Sequence, residues 1–414
     1  MGRTILLIGT LDTKGHEYAY VRDLITARGH RAFMLDAGVL GEPPPGFVPD
    51  SAAARTADAG GESLAALRER HDRGHALEVM GKGARALALE LLADGGFDAV
   101  LTMGGSGNTS IGATAMQALP VGLPKLIVST MASGNVGPYV DVKDISMMYS
   151  VVDVAGLNRI GRRILANAAG AVCGMAEQVV PEAEEKPLVA ATMFGVTTPC
   201  VDRFRERLES AGFELLVFHA VGSGGRAMES LVSDGFITAL GDITTTEWCD
   251  ELVGGVLSAG PTRLDAAAAR GIPQVVSLGA LDMVNFGPME TVPERFRGRK
   301  LYVHNPQVTL MRTTPQECAQ LGEIIAAKLN RSTGPVALFV PLRGVSAIDV
   351  EGTPFFDPEA DAALFEAIRA HLDRSVVDLV ELDLAINDPV FADAMADRLL
   401  AMLGARQPVA AASH

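Results

Sequence analysis

The feature that most narrows the possible folds is a rhythm, in which short β-type apolar runs alternate with helix-length segments along most of the chain. Residues 4–8, 32–35, 99–102 and 125–128 are runs of this kind, and segments such as 16–28 and 77–92 between them are long enough for helices. The same alternation resumes beyond residue 187, with runs at 188–193, 215–218 and 237–240 and helical segments at 201–210 and 226–233. Strands that alternate with helices make βαβ units, and these assemble into mainly parallel sheets covered by helices on both faces. The predicted fold class is therefore α/β.

The two stretches are separated by residues 181–187, Pro-Glu-Ala-Glu-Glu-Lys-Pro, which are acidic and bracketed by prolines. They read as a linker between an amino-terminal domain, residues 1–180, and a carboxy-terminal domain, residues 188–414. The halves also look like copies of one plan. Gly9-Thr10-Leu11-Asp12-Thr13-Lys14 corresponds to Gly195-Val196-Thr197-Thr198-Pro199-Cys200. The stretch from Gly83 through Gly95-Gly96-Phe97 to Gly104-Gly105 corresponds to that from Gly225 through Asp234-Gly235-Phe236 to Gly241-Asp242, and residues 122–129 correspond to 271–277. Three matches in the same order imply an internal duplication, with an insertion in the first copy that we place at residues 40–80. The expected architecture is two Rossmann-like three-layer domains with mainly parallel sheets and a cleft between them. Ligands of such sheets bind beyond the carboxyl ends of the strands, so polar residues right after strands are the candidates.

Composition limits the partners. The 50 Asp and Glu outnumber the 35 Lys and Arg, giving a formal net charge of -15 without a local basic patch, which argues against a nucleic-acid partner. Trp248 is the only tryptophan, so there is no aromatic series for stacking bases. Cys173, Cys200, Cys249 and Cys318 lie far apart with no C-x-x-C pair, which suits reduced thiols in the cytoplasm. No apolar run reaches the roughly 18 to 20 residues of a membrane span, so no membrane partner is expected.

In the first half, Gly9, Thr10, Asp12, Thr13 and Lys14 combine flexible backbone, two hydroxyls, a carboxylate and an ammonium at a helix start. Such a site can seat an anion, with Lys14 as counter-charge and Asp12 free to hold a ribose hydroxyl or a metal; the alternative is that Asp12 or Thr13 only caps the helix. Gly104, Gly105, Ser106, Gly107, Asn108, Thr109 and Ser110 lie between a strand and a helix and form the sort of backbone nest that cradles phosphate. This nest matches neither a Walker A loop nor G-x-G-x-x-G, and its glycines could serve turn geometry alone. Thr130, Ser133 and Gly134 repeat the chemistry after the next strand. Residues 150–174 read as a helix with Asn158 and Arg159 as polar exceptions on its apolar stripe.

In the second half, Gly224-Gly225-Arg226 at a helix start is a further anion seat. Asp242 with Glu247 could bind a cation or act as acid and base, the alternative for Asp242 being a helix cap. His304 and Arg343 each follow an apolar run, and Arg343 is the one evident guanidinium there for a phosphate or carboxylate. Asp242, Glu247, His304 and Arg343 are therefore the catalytic candidates, and Arg226 joins the ligand-binding set. No nucleophile elbow with credible partners is present.

Taken together, Gly9-Thr10-x-Asp12-Thr13-Lys14, Gly104-Gly105-Ser106-Gly107, the run from Ser150 to Asn158, Met193-Phe194-Gly195-Val196-Thr197-Thr198-Pro199, the run from Phe218 to Met228, Leu281-Asp282-Met283-Val284-Asn285-Phe286-Gly287 and His304-Asn305-Pro306 resemble the Tm-one-like ATP-binding domain family over nearly the whole chain. The resemblance implies ATP and Mg2+ as cofactors, two Rossmann-like subdomains and a homodimer, and it implies no established reaction. The expectation is a metabolic enzyme in which nucleotide on the first-half loops meets a small anionic substrate across the cleft, near Arg226, Asp242, His304 and Arg343. Two alternatives stay open. One is a non-catalytic ATP-binding regulatory or interaction module, favoured by the lack of a Walker lysine or phosphoryl-transfer base. The other is a hydrolase or lyase of a small carboxylate, with a different phosphate-bearing ligand on the glycine loops.

Overall fold

Strands buried on both faces have no reason to alternate in polarity, and this is why the apolar runs of the sequence become parallel strands. A computed structural model of the chain describes residues 2–181 and 185–404. It falls into two units, Met1–Glu182 and Ala183–His414. Of the expected linker, residues 182–184 lie outside those described.

In the first unit, strands β1 (Thr4–Gly9), β2 (Arg31–Asp36), β3 (Ala99–Gly104), β4 (Lys125–Ser129) and β5 (Ser146–Tyr149) form a parallel sheet in the order β2-β1-β3-β4-β5. The helices are α1 (Leu11–Ala27), α2 (Ala53–Ala59), α3 (Leu64–Arg70), α4 (Arg73–Ala93), α5 (Ser106–Met116), α6 (Gly137–Val140) and α7 (Arg159–Glu177). Successive residues of a strand point to opposite faces. Ile5 and Leu7 of β1 accordingly pack with Tyr18, Val21 and Ile25 of α1 and Leu165, Ala168 and Val172 of α7. Leu6 and Ile8 pack with Met80 and Ala84 of α4 and Ile111 and Ala115 of α5.

The second unit contains strands β6 (Leu188–Met193), β7 (Glu214–His219), β8 (Ala239–Thr244), β9 (Gln274–Gly279), β10 (Met283–Phe286), β11 (Leu301–Asn305), β12 (Val308–Arg312), β13 (Val336–Pro341) and β14 (Val377–Leu382). Six of them form a parallel sheet in the order β14-β13-β9-β8-β6-β7, and the other three form an antiparallel sheet, β10-β12-β11. Its helices are α8 (Thr198–Ser210), α9 (Ser223–Ser233), α10 (Glu247–Val253), α11 (Ala266–Arg270), α12 (Pro315–Leu329), α13 (Pro358–His371) and α14 (Pro389–Gly404).

Both units are Rossmann-like three-layer α/β domains, and β7-β6-β8-β9-β13 repeats the order β2-β1-β3-β4-β5. The three paired stretches of sequence fall on equivalent elements: the ends of β1 and β6, the helix leading into β3 or β8, and the start of β4 or β9. In the first unit, α2, α3 and the first turns of α4 occupy the insertion; in the second, α9 begins almost directly after β7.

One sequence expectation is corrected. Residues 150–158 are not helical, and α7 begins only at Arg159. Asn158 is its cap, its Oδ1 accepting from the amides of Ile160 at 3.0 Å and Gly161 at 2.8 Å. No described helix is long and apolar enough to cross a membrane.

Candidate functional site

The chain leaves β1 for β2 on one side and returns to β3 on the other, so the loops after β1 and β3 part and leave a crevice at the carboxyl ends of the strands. A cavity of about 690 Å³ lies there. Its wall combines the loop after β1 (Thr10, Asp12, Thr13, Lys14), the loop after β2 (Ala37, Val39, Leu40), the start of α5 (Gly105 to Asn108) and the α3–α4 junction.

Each loop is held from within. Asn108 is buried and bridges the first and third strands, its Oδ1 accepting from Thr10 N at 3.2 Å and its Nδ2 donating to the Met103 carbonyl at 2.9 Å. Thr109 Oγ1 donates to the Gly105 carbonyl at 2.8 Å and lies 2.6 Å from Ser129 Oγ. Asp12 Oδ2 accepts from the amides of Leu40 at 2.7 Å and Gly41 at 3.2 Å, and it makes no cap bond to α1. Asp12 is thus a latch on the loop after β2, and Gly38 leaves room for it, since a β-carbon there would stand 2.6 Å from the Asp12 carboxyl carbon. Below this latch, Asp36 is buried, accepts from Leu11 N and Gly38 N, and is pushed up to about 6 by its burial.

The other side of that loop is held by Arg68. Its Nε donates to the Val39 carbonyl at 2.8 Å and its Nη2 to the Gly41 carbonyl at 2.8 Å, with Glu42 at 3.0 Å. Lys14, expected as the counter-charge, donates its Nζ to the Val154 carbonyl. Gly9 is a packing glycine: a β-carbon there would lie 2.1 Å from the Tyr18 ring. Gly104, at φ +153°, has Asn108 against the same position. Gly105, Ser106 and Gly107 line the cavity. The α5 ladder starts with Thr109 N–H on the Gly105 carbonyl, so the amides of Ser106 and Gly107 project from the helix end without a helical acceptor. Thr130 lies beside Gly105, its Oγ1 3.8 Å from the position of a β-carbon there. Ser110, Ser133 and Gly134 are exposed and do not line the cavity.

The insertion supplies residues that no strand-end reading reaches. His71, Asp72, Arg73, Ala76, Leu77 and Met80 line the cavity opposite the start of α5. Asp72 caps α4 by accepting from His75 N at 3.1 Å, and His71 adopts a left-handed φ of +52°. Arg73 has no carboxylate or carbonyl partner among the described residues, and a β-carbon on Gly107 would stand 3.8 Å from its Nη2. In the sequence Arg73 follows no apolar run, so a search of strand ends passes over it.

The second-half candidates are not gathered into one site. Asp242 and Glu247 do meet, but in a buried ion cluster around Arg263, whose Nη2 and Nη1 reach Asp242 at 2.6 and 2.5 Å and whose Nε reaches Glu247 Oε2 at 2.7 Å. Glu247 Oε1 accepts from Gly222 N at 2.7 Å and Gly225 N at 3.1 Å, so the anion seat expected at Gly224-Gly225-Arg226 is filled by the protein's own carboxylate. Gly225 permits that approach, since a β-carbon on it would lie 2.1 Å from Glu247 Oε2. Arg226 is exposed on α9, His304 is exposed on β11, and Arg343 is exposed and paired at 2.7 Å through both guanidinium ends to Asp383. A second buried cluster escaped the sequence reading. Arg312 contacts Asp361 at 2.6 Å and Asp349 at 3.1 Å near Asp282, and burial together with the neighbouring carboxylate raises Asp349 well above the usual range. An arginine closing the buried strand β12 was its visible sign. Among the described residues, no group of three or more His, Cys, Asp or Glu is placed to hold a metal ion.

Residues 3–181 match the family described as "Uncharacterised protein family (UPF0261) N-terminal domain", and residues 186–403 match the corresponding C-terminal domain. A UPF0261 protein of Clostridium tetani is 52% identical over 97% of this chain and 100% of its own length. One from Rhizobium meliloti is 51% identical over 95% of this chain and 97% of its own. The ToMV resistance protein Tm-1(GCR237) of Solanum lycopersicum is 43% identical over 79% of this chain, a match that spans 44% of the tomato protein.

Proposed function

The chain belongs to the uncharacterised protein family UPF0261, and from that premise we propose that its first unit binds Mg-ATP in the cavity between the loop after β1 and the start of α5. One observation carries the reading: a cavity of about 690 Å³ at the strand switch point that joins the α5-start amides, without a helical acceptor, on one side to an apolar wall on the other. Sites for small ligands usually have this size, position and mixture. In this reading the phosphates rest on the amides of Ser106 and Gly107, and the base packs against Leu67, Leu77, Met80 and Ile111. Mg2+ enters on the phosphates, which together with water commonly fill most of its coordination shell.

For what the nucleotide does once bound, a specific observation favours a regulatory module over turnover. The acid and base pair that a reaction would use, Asp242 and Glu247, is committed to Arg263. A small anionic substrate therefore stays a proposal without an assigned seat. A homodimer, implied by the family resemblance, belongs to the same proposal, and sedimentation equilibrium with and without Mg-ATP tests it; a monomer in both conditions removes it.

Calorimetry of the full chain with Mg-ATP is the direct test of the cavity. The expected result is saturable binding at one site per chain with no phosphate released over hours. Absence of heat and of any thermal shift would sink the assignment, and steady ATP hydrolysis would overturn the regulatory reading.

A further inference from the structure

The plan is duplicated, yet the insertion belongs to the first copy alone, and much of the wall of the first cavity comes from it. Three cations of the cavity wall can be sorted by what they already hold. Lys14 places one of its three donors on the Val154 carbonyl, and Arg68 donates to the carbonyls of Val39 and Gly41 and pairs with Glu42. Arg73 has no such partner among the described residues, and its Nη2 stands 3.8 Å from the β-carbon position of Gly107, in the first turn of α5.

In a chain with a formal net charge of -15, an unpaired guanidinium at a cavity wall is a local exception to the repulsion an anion would otherwise meet. The left-handed turn at His71 and the Asp72 cap fix where α4 begins, and Arg73, exposed at the cavity wall, is its first residue. A β-carbon on Gly107 would meet Leu77 Cδ2 at 3.3 Å and Arg73 Nη2 at an ordinary contact distance of 3.8 Å.

We propose that Arg73, carried by the insertion, is the residue that selects phosphorylated over unphosphorylated ligands in this cavity. A planar guanidinium offers two parallel donors to a phosphate, whereas a lysine offers a point charge. The inference rests on the cavity being a nucleotide site for its adenine part only; the anion preference stands on Arg73 and the α5 amides.

The test is calorimetry of the full chain and of Arg73→Gln and Arg73→Lys with four probes: Mg-ATP, ADP, adenosine and inorganic tripolyphosphate. Arg73→Gln should weaken ATP and tripolyphosphate by about 10- to 100-fold, as expected when a charge-assisted pair is lost. Adenosine should bind as to the wild type, and Arg73→Lys should recover only part of the loss. If the wild type binds tripolyphosphate but not ATP, the nucleotide reading fails while the Arg73 inference is still decided by the variant. ATP and tripolyphosphate affinities unchanged in Arg73→Gln, or a wild type that binds neither, would overturn the inference.

Discussion

Arg263 and Asp242 face each other end to end, Nη2 to Oδ1 at 2.6 Å and Nη1 to Oδ2 at 2.5 Å, and both are shut off from solvent. Three carboxylates, Asp242, Glu247 and Glu229, lie around that single guanidinium, so its removal leaves buried charge with no compensation. Arg263→Met should destabilise the second unit by about 3–5 kcal/mol. Trp248, the chain's one tryptophan, sits on the adjoining helix α10 and reports that unit's urea transition. Adding Asp242→Asn and Glu247→Gln should restore part of the loss. A shift of less than about 1 kcal/mol would mean that the cluster is not what holds this region.

A carboxylate can be used to close the first-unit seat in the way Glu247 closes its own. Gly105 is the extended residue just before α5, and a β-carbon there would meet nothing nearer than Thr130 Oγ1 at 3.8 Å. Gly105→Asp should cap the helix and leave stability unchanged or raised by a few tenths of a kcal/mol. It should weaken Mg-ATP at least about tenfold, because like charge then occupies the position proposed for the phosphates. Thermal melting and calorimetry on the same sample separate the two effects; unaltered affinity in a folded variant would place the phosphates elsewhere.

Asp250 gives a dependence on pH. It is buried, accepts from Asn285 Nδ2 at 2.7 Å and Asn285 N at 2.9 Å, and is pushed up to about 7, chiefly by desolvation. An acid with a raised value in the folded state holds its proton more tightly there than when unfolded. Its ionisation therefore weakens the fold, and the loss grows as pH rises from about 4 to about 7. Asp250→Asn removes that term, and the unpaired Asn285 Oδ1 can turn to accept from the new amide. The variant should match the wild type near pH 4 and gain on the order of 2–4 kcal/mol over it above pH 7. Urea midpoints across that range, read at Trp248, check the prediction; parallel curves would refute it.

The strands, their parallel arrangement and the duplication were legible because they depend on local pattern: β3, β8 and β9 are buried at every position, so burial wrote itself into the sequence as apolar runs. The loop after β1 and the start of α5 were legible as cavity walls for the same reason, since topology fixes where strand ends lie. What each polar side chain holds was not legible. Asp242 meets Arg263 across 21 positions, and Arg312 meets Asp361 across 49, so the neutralising partner cannot be read from either neighbourhood. Lys14 was assigned to an anion from its type and its place at a helix start, and the carbonyl that accepts from it, contributed by the irregular residues before α7, was not legible. The helix start was misjudged there too, because the apolar stripe was followed back past the Asn158 cap.

The carboxylate of Glu247 on the α9 amides has a wider meaning. A seat that carries its own counter-ion cannot report the concentration of anything outside it. By the shared plan α9 stands where α4 stands in the first unit, so the seat that Glu247 closes is the counterpart of the helix start that carries Arg73. Opening that seat would mean losing one side chain, and the same side chain pairs with the buried Arg263.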